Sequence, residues 1–173
     1  VMGITGGDRS FSEKVIKAAV SGGEAGNTDS EIEHWITNHL SPNTVLIDKD
    51  AYTRMCIDAL KFVTVQKLTD FGTAKQRDFG QAWADTTRGY LGEYALVSLL
   101  KRNFGVESKL AHQVGTPEDF YDTDIAEVLI KGKWRKPKKN IGIKTTKFNG
   151  IWLDITDSQF QKSDLHVQVK IGG

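Results

Sequence analysis

The sequence predicts an α/β domain preceded by a helical N-terminal subdomain. Apolar residues recur at helical spacing through the first hundred positions, and short β-rich runs separated by polar turns fill the rest. No internal repeat or low-complexity tract interrupts either part. The division places the helical subdomain at residues 1–75 and the α/β core at 76–173. A chain of 173 residues suits one domain with a small appendage, able to bury about two-thirds of its unfolded surface.

Each element has a local reason. Ser12 is a candidate cap for a helix over Glu13–Val20, with Val15, Ile16, Ala19 and Val20 on its apolar face. Glycines at 22, 23 and 26 break that pattern, and Asp29 or Ser30 opens a second helix over Glu31–Leu40 that ends at Ser41-Pro42. A third helix is expected from about Asp50 to Leu68, weakened in its second half by Val63-Thr64-Val65. Residues 77–103 form the strongest helical stretch, with a candidate interruption near Asp85–Thr87 and Gly105 as its C-cap. Strands are expected over Val106–His112, Asp124–Ile130, Asn140–Thr146, Ile151–Ile155 and Leu165–Ile171, with Asn149-Gly150 as a hairpin turn.

Composition narrows the function classes. No apolar run approaches the ~18 residues of a membrane span, and the N-terminus lacks a signal-peptide core, so a cytoplasmic protein without membrane partners is expected. A single cysteine, Cys56, cannot form an internal disulfide or a cysteine zinc site and reads as a buried structural thiol. His34, His39, His112 and His166 show no metal-ligand spacing, and the glycines after Met2 lack the Gly-Lys-[Ser/Thr] of a phosphate loop. The formal charge of +1 conceals an asymmetry, because six cations fall within the nine residues 131–139. Such a run is a polyanion footprint or a solvated loop.

Three features stand in an informative order. Glu93 lies in the helix Arg88-Gly-Tyr-Leu-Gly-Glu-Tyr-Ala95, Asp124 opens the strand Asp124–Ile130, and Lys144 lies in the strand Asn140–Thr146. The cationic run joins those two strands, so a hairpin would bring Asp124 and Lys144 together. Phosphodiester hydrolysis needs carboxylates to hold Mg²⁺ and a lysine to orient or deprotonate water and stabilise phosphate charge.

Over residues 88–171 the chain resembles the PD-(D/E)xK nuclease superfamily, through Gly92-Glu93-Tyr94-Ala95, Asp124 and Ile143-Lys144-Thr145-Thr146. The resemblance implies a restriction-endonuclease-like central mixed sheet, metal roles for Glu93 and Asp124 assisted by the Ile143 carbonyl, and a catalytic role for Lys144. It implies Mg²⁺, with Mn²⁺ as a substitute. A sequence-specific type II restriction endonuclease is the leading member, and a catalytically inactive DNA-binding module with the same fold is the alternative.

One departure bears on activity. The acid of the (D/E)xK pair belongs at position 142, where this chain has Gly142. Three explanations stand open: Glu93 substitutes from the helix, Glu127 reaches in from the strand, or the site is inactive. Asp119, Asp122 and Glu118 offer further acids near Asp124, and Gln168-Val-Lys170 reads as the strand after the catalytic lysine. DNA is the expected partner, held by Lys131, Lys133, Arg135, Lys136, Lys138, Lys139 and Lys147, with Trp134 stacking and Thr145 and Thr146 at phosphate oxygens. A homodimer would cut both strands, and either it or a second polypeptide could complete the sheet.

Overall fold

The computed structural model describes residues 28–65, 78–114, 123–150 and 155–172, with Arg9, Ser10, Ser12–Lys14 and Lys17. Two compact units divide the chain, residues 1–46 with 172–173 and residues 47–171. The boundary therefore falls earlier than 75, and the third helix belongs with the α/β elements it packs on.

In the first unit, Ser12 is itself helical with Arg9 and Ser10 helical ahead of it, so it is not a cap; Val15, Ile16, Ala19 and Val20 lie outside the described residues. Helix α1 (Asp29–Trp35) is capped by Thr28, one residue before the earlier of the two expected openings, because Thr28 and Glu31 form a reciprocal capping box. It continues as a π-turn over Ile36–Leu40 and a 3-10 turn over Ser41–Asn43, where Pro42 ends the helical run.

The second unit begins with α2 (Lys49–Val65). Asp48 accepts the N–H of Ala51 at 2.7 Å, and Ala51, Met55, Ala59 and Val63 form a buried stripe at four-residue spacing. Helix α3 (Phe79–Phe104) runs unbroken through Asp85–Thr87, where Arg88 reaches back to Asp85 at 2.8 Å and Thr87 is buried. Asp78 caps its start, and Gly105, in the left-handed conformation at φ 65°, caps its end. Trp83 donates its indole N–H to the Cys56 carbonyl at 2.8 Å, tying α3 to α2.

The described strands form two sheets. Strands β1 (Ser108–Leu110), β2 (Ile125–Ile130) and β3 (Lys133–Arg135) make an antiparallel sheet in that order, with a short helical turn α4 (Ala111–Val114) after β1. Strands β4 (Ile141–Lys147) and β5 (Leu165–Ile171) pair in parallel, joined by a connection that holds α5 (Asp157–Lys162). The expected β2–β4 hairpin is replaced by a tight β2–β3 hairpin. Its central residues, Lys131 and Gly132, have φ of 51° and 75°, the positive values such a two-residue turn needs. The cationic run is thus partly strand, and a backbone bond from Asp124 N–H to the Ile141 carbonyl at 3.4 Å joins the two sheets. The strand expected at 151–155 lies largely outside the described residues.

Two apolar clusters hold this unit. Met55, Ala59, Tyr90 and Leu91 pack with Ile47, Phe62, Tyr94 and Ile171, joining α2 and α3 to the end of β5. Leu110, Ile125 and Ile143 pack with Leu96, Val97, Leu100 and Val169, joining α3 to both sheets. Leu110 and Ile125 are fully buried, each contributing about 1.5–3 kcal/mol of apolar transfer. Cover for one face of the β4–β5 ribbon thus comes from α3, within the chain. No described helix is long and apolar enough to cross a membrane.

Candidate active site

Glu93 stands midway along α3, one turn beyond the buried Tyr90 and next to the buried Gly92. Gly92 is needed because of its distance to β4: a Cβ there would lie 1.9 Å from Oγ1 of Thr145. The missing side chain lets helix and strand approach closely at this point. Thr145, expected at phosphate oxygens, faces the helix instead, 3.5 Å from the Gly89 carbonyl oxygen.

Asp124 precedes β2 and points toward β4, where its Oδ2 accepts the N–H of Ile143. The family resemblance assigns Ile143 a role through its carbonyl; its amide and its buried side chain are the groups seen to position the site. Lys144 follows, and strand alternation puts it on the face opposite Ile143 and Thr145. It is half-buried and forms no ion pair among the described residues.

Both carboxyls are shifted in the same direction, and Lys144 opposes the shift in each. Burial pushes the Glu93 carboxyl above the usual range; the His112 hydrogen bond opposes this, Asp124 adds to it, and Lys144 draws it down. Burial also raises Asp124, opposed by the Ile143 amide and then by Lys144 and His112. With both carboxyls raised by burial, added positive charge would favour their ionised forms.

His112 joins this group, although its sequence context does not mark it. Its Nδ1 lies 3.0 Å from Oε2 of Glu93, with side chains 5% and 16% exposed. Its ring stacks on Tyr90 at 3.9 Å and 13°. Metal-ligand spacing does not find it, because its partner is a glutamate 19 positions away. The signal available was chain reversal: about 16 Å of helix from Glu93 to Phe104 is retraced by about 13 Å of extended chain from Val106 to Leu110, just before His112.

The glycine at 142 is explained by packing. A Cβ there would meet Ser163 Oγ at 2.7 Å and His166 Nδ1 at 3.1 Å, so the space an acid's stem requires is occupied. Glu127, the other candidate replacement, binds Lys109 at 2.8 Å across β1–β2. Glu118, Asp119 and Asp122 lie outside the described residues.

The cationic residues divide. Lys131, Lys133, Arg135, Lys136 and Lys138 are exposed and form no ion pair among the described residues, whereas Lys139 binds Asp164 at 3.0 Å. Trp134 has one ring face under the Lys109 ammonium, 4.1 Å from the centroid. Lys133 and Arg135 alternate with Trp134 along β3, so they project from the other face of the hairpin. Lys147 is exposed at the end of β4, and Thr146 accepts from Gln168 at 3.3 Å.

Among the described residues, no group of three or more His, Cys, Asp or Glu side chains is arranged to hold a metal ion. Two carboxylates remain, each with one oxygen outside the bonds to His112 and Ile143. No protein-family model, curated protein or solved structure matches the chain.

Proposed function

We propose that the chain carries a Mg²⁺-dependent endodeoxyribonuclease centre of the PD-(D/E)xK kind, with Glu93, Asp124 and Lys144 as its working residues. The observation that carries this reading is the bond from the Ile143 amide to Asp124, which holds that carboxylate against the strand bearing Lys144, beside a second buried carboxylate, Glu93, on α3. The donor set fits Mg²⁺, which takes hard oxygen ligands, keeps several waters and often needs only one or two carboxylates. Mn²⁺ suits the same oxygens.

Glu93 and Asp124 would hold the ion through the oxygens that His112 and Ile143 leave open. When bound, it supplies charge to a phosphate oxygen and lowers the pKa of water. Asp124 is fixed by the Ile143 amide, so the carboxylate and the strand bearing Lys144 keep one geometry. The Lys144 ammonium orients the attacking water and offsets charge developing on the phosphate. The exposed cations of the β2–β3 hairpin and the residues after it would bind the DNA backbone, with a strong salt dependence.

A sequence-specific restriction endonuclease acting as a homodimer is the member of this class we favour, since two-fold symmetry serves two strands. A DNA-binding module without catalysis is the second reading, favoured by the occupied space at Gly142. Digesting plasmid and genomic DNA with Mg²⁺, Mn²⁺ or EDTA separates them. Discrete metal-dependent fragments support the restriction reading, and nicking or smearing keeps only the nuclease. Intact DNA under every condition, with salt-sensitive binding, leaves the module.

A further inference from the structure

His112 carries no chemical step above, yet its side chain is more tightly enclosed than that of Glu93, which it meets. Its side chain is 5% exposed, and Nε2 is buried with no hydrogen-bond partner among the described residues. Three contacts converge on it or its neighbour. The ring stacks on Tyr90, Nδ1 meets Glu93, and the adjacent Ala111 N–H donates to the Asp124 carbonyl at 3.1 Å. The turn carrying His112 is therefore bonded to both ends of the proposed metal pair, through a side chain at Glu93 and through backbone at Asp124.

A neutral imidazole here carries its proton on one of two nitrogens. With the proton on Nδ1, the ring donates to Glu93 and buries a bare Nε2 lone pair. With the proton on Nε2, a protonated Glu93 must donate to Nδ1, and a buried N–H is orphaned. Unpartnered buried N–H groups are rarer than under-used acceptors, which favours the first arrangement.

We infer that His112 is a positioning residue, whose Nδ1–H fixes the Glu93 carboxylate through Oε2 and leaves its other oxygen for a divalent cation. This rests on the nuclease reading. A carboxylate ligand held by an outer hydrogen bond loses about 10–100-fold in metal affinity or activity when that partner is removed.

The experiment compares wild type with His112→Phe, which keeps the ring stack and loses the donor, and His112→Asn, whose amide can donate from near the Nδ1 position. DNA cleavage is titrated with Mg²⁺, and ¹⁵N NMR of the wild-type imidazole reads which nitrogen carries the proton. The expected result is an Nδ1 proton and a half-maximal Mg²⁺ concentration raised about 10–100-fold in His112→Phe, with most of that loss recovered in His112→Asn. The rate at saturating Mg²⁺ should change far less. A folded His112→Phe with wild-type Mg²⁺ dependence overturns the inference, as does a wild-type proton on Nε2. Should His112→Phe not fold, the tautomer and His112→Asn decide: wild-type Mg²⁺ dependence with the Nδ1 proton supports the inference, and a raised Mg²⁺ requirement in His112→Asn opposes it. If wild type cleaves nothing with Mg²⁺ or Mn²⁺, the nuclease reading fails first and this inference falls with it.

Discussion

The amide of Ile143 donates to the Asp124 carboxylate, fastening the strand that carries Lys144 to the acid opening β2. Because the bond uses one oxygen only, Asp124 is positioned without being consumed. The same economy holds at Glu93, where His112 meets Oε2. Burial disfavours the charged form of both carboxylates, which makes them sensitive to pH, to amide substitution and to a bound cation.

Replacing Glu93 with Gln should stabilise the fold at neutral pH. Its folded pKa lies above the unfolded value, so the unfolded chain releases its proton first and stability falls as pH rises through the folded pKa. Below the usual carboxylate range the two proteins should be nearly equal, and the variant should gain as pH rises toward 8. Asp124→Asn should behave alike, since its carboxyl is also raised. Asp164 has the opposite sign, lowered by the Asn140 amide and Lys139, but it cancels in each difference. Thermal unfolding from pH 4 to 8 checks this, and a variant disadvantage that grows with pH would contradict it.

Adding Mg²⁺ should raise the melting temperature of wild type at pH 8, because a ligand of the folded state stabilises it by mass action. The Glu93→Gln, Asp124→Asn double variant should start higher and respond less. An equal response from both proteins would place the ion elsewhere.

Placing an acid at position 142 should fail. Gly142→Asp puts a Cβ within 2.7 Å of Ser163 Oγ, and overpacking of this kind costs about 1–3 kcal/mol. Denaturant unfolding should show the loss, and DNA cleavage should not increase. A gain in cleavage would mean that Ser163 and His166 move aside to admit the acid.

Gly92→Ala tests the close approach of helix and strand. Alanine is the better helix former by about 1 kcal/mol, yet here its methyl would overlap Thr145. The net effect should be destabilising by about 1–3 kcal/mol, with a substantial part recovered by adding Thr145→Ala. A stable, fully active Gly92→Ala would remove the role given to this glycine.

DNA affinity should depend unevenly on the cations. Removing one lysine or arginine that neutralises a phosphate lowers the slope of log affinity against log salt by about 0.9. Lys133→Ala or Lys136→Ala should show such a change, and Lys139→Ala less, because Lys139 is engaged by Asp164. Equal effects at all three positions would argue that the ion pair opens on binding.

Periodicity and caps were legible in the sequence: α3 with its Gly105 cap and β5 lie close to where spacing puts them, and the mixture of helices and strands follows from their order. Strand partners were not. The run 131–139 reads as one long loop, but positive φ at Lys131 and Gly132 turns the chain at once and gives β2 a new partner. The short helix α5 escapes a reading by periodicity because Thr156 caps a segment of only six residues with weak patterning. Glu93, Asp124 and Lys144 were readable as types in order, whereas His112 and the packing over Gly142 depend on contacts across the fold that no local pattern encodes.

Cleavage and binding of DNA by wild type beside Asp124→Ala and Lys144→Ala bear most closely on the nuclease centre. Wild type should cut in Mg²⁺ and not in EDTA, and the lysine variant should lose about 10²–10⁴-fold in rate. The aspartate variant should lose comparably, with both variants still binding DNA. Cleavage retained by Asp124→Ala, or intact DNA with wild type in both Mg²⁺ and Mn²⁺, would refute a metal-dependent centre built on these residues.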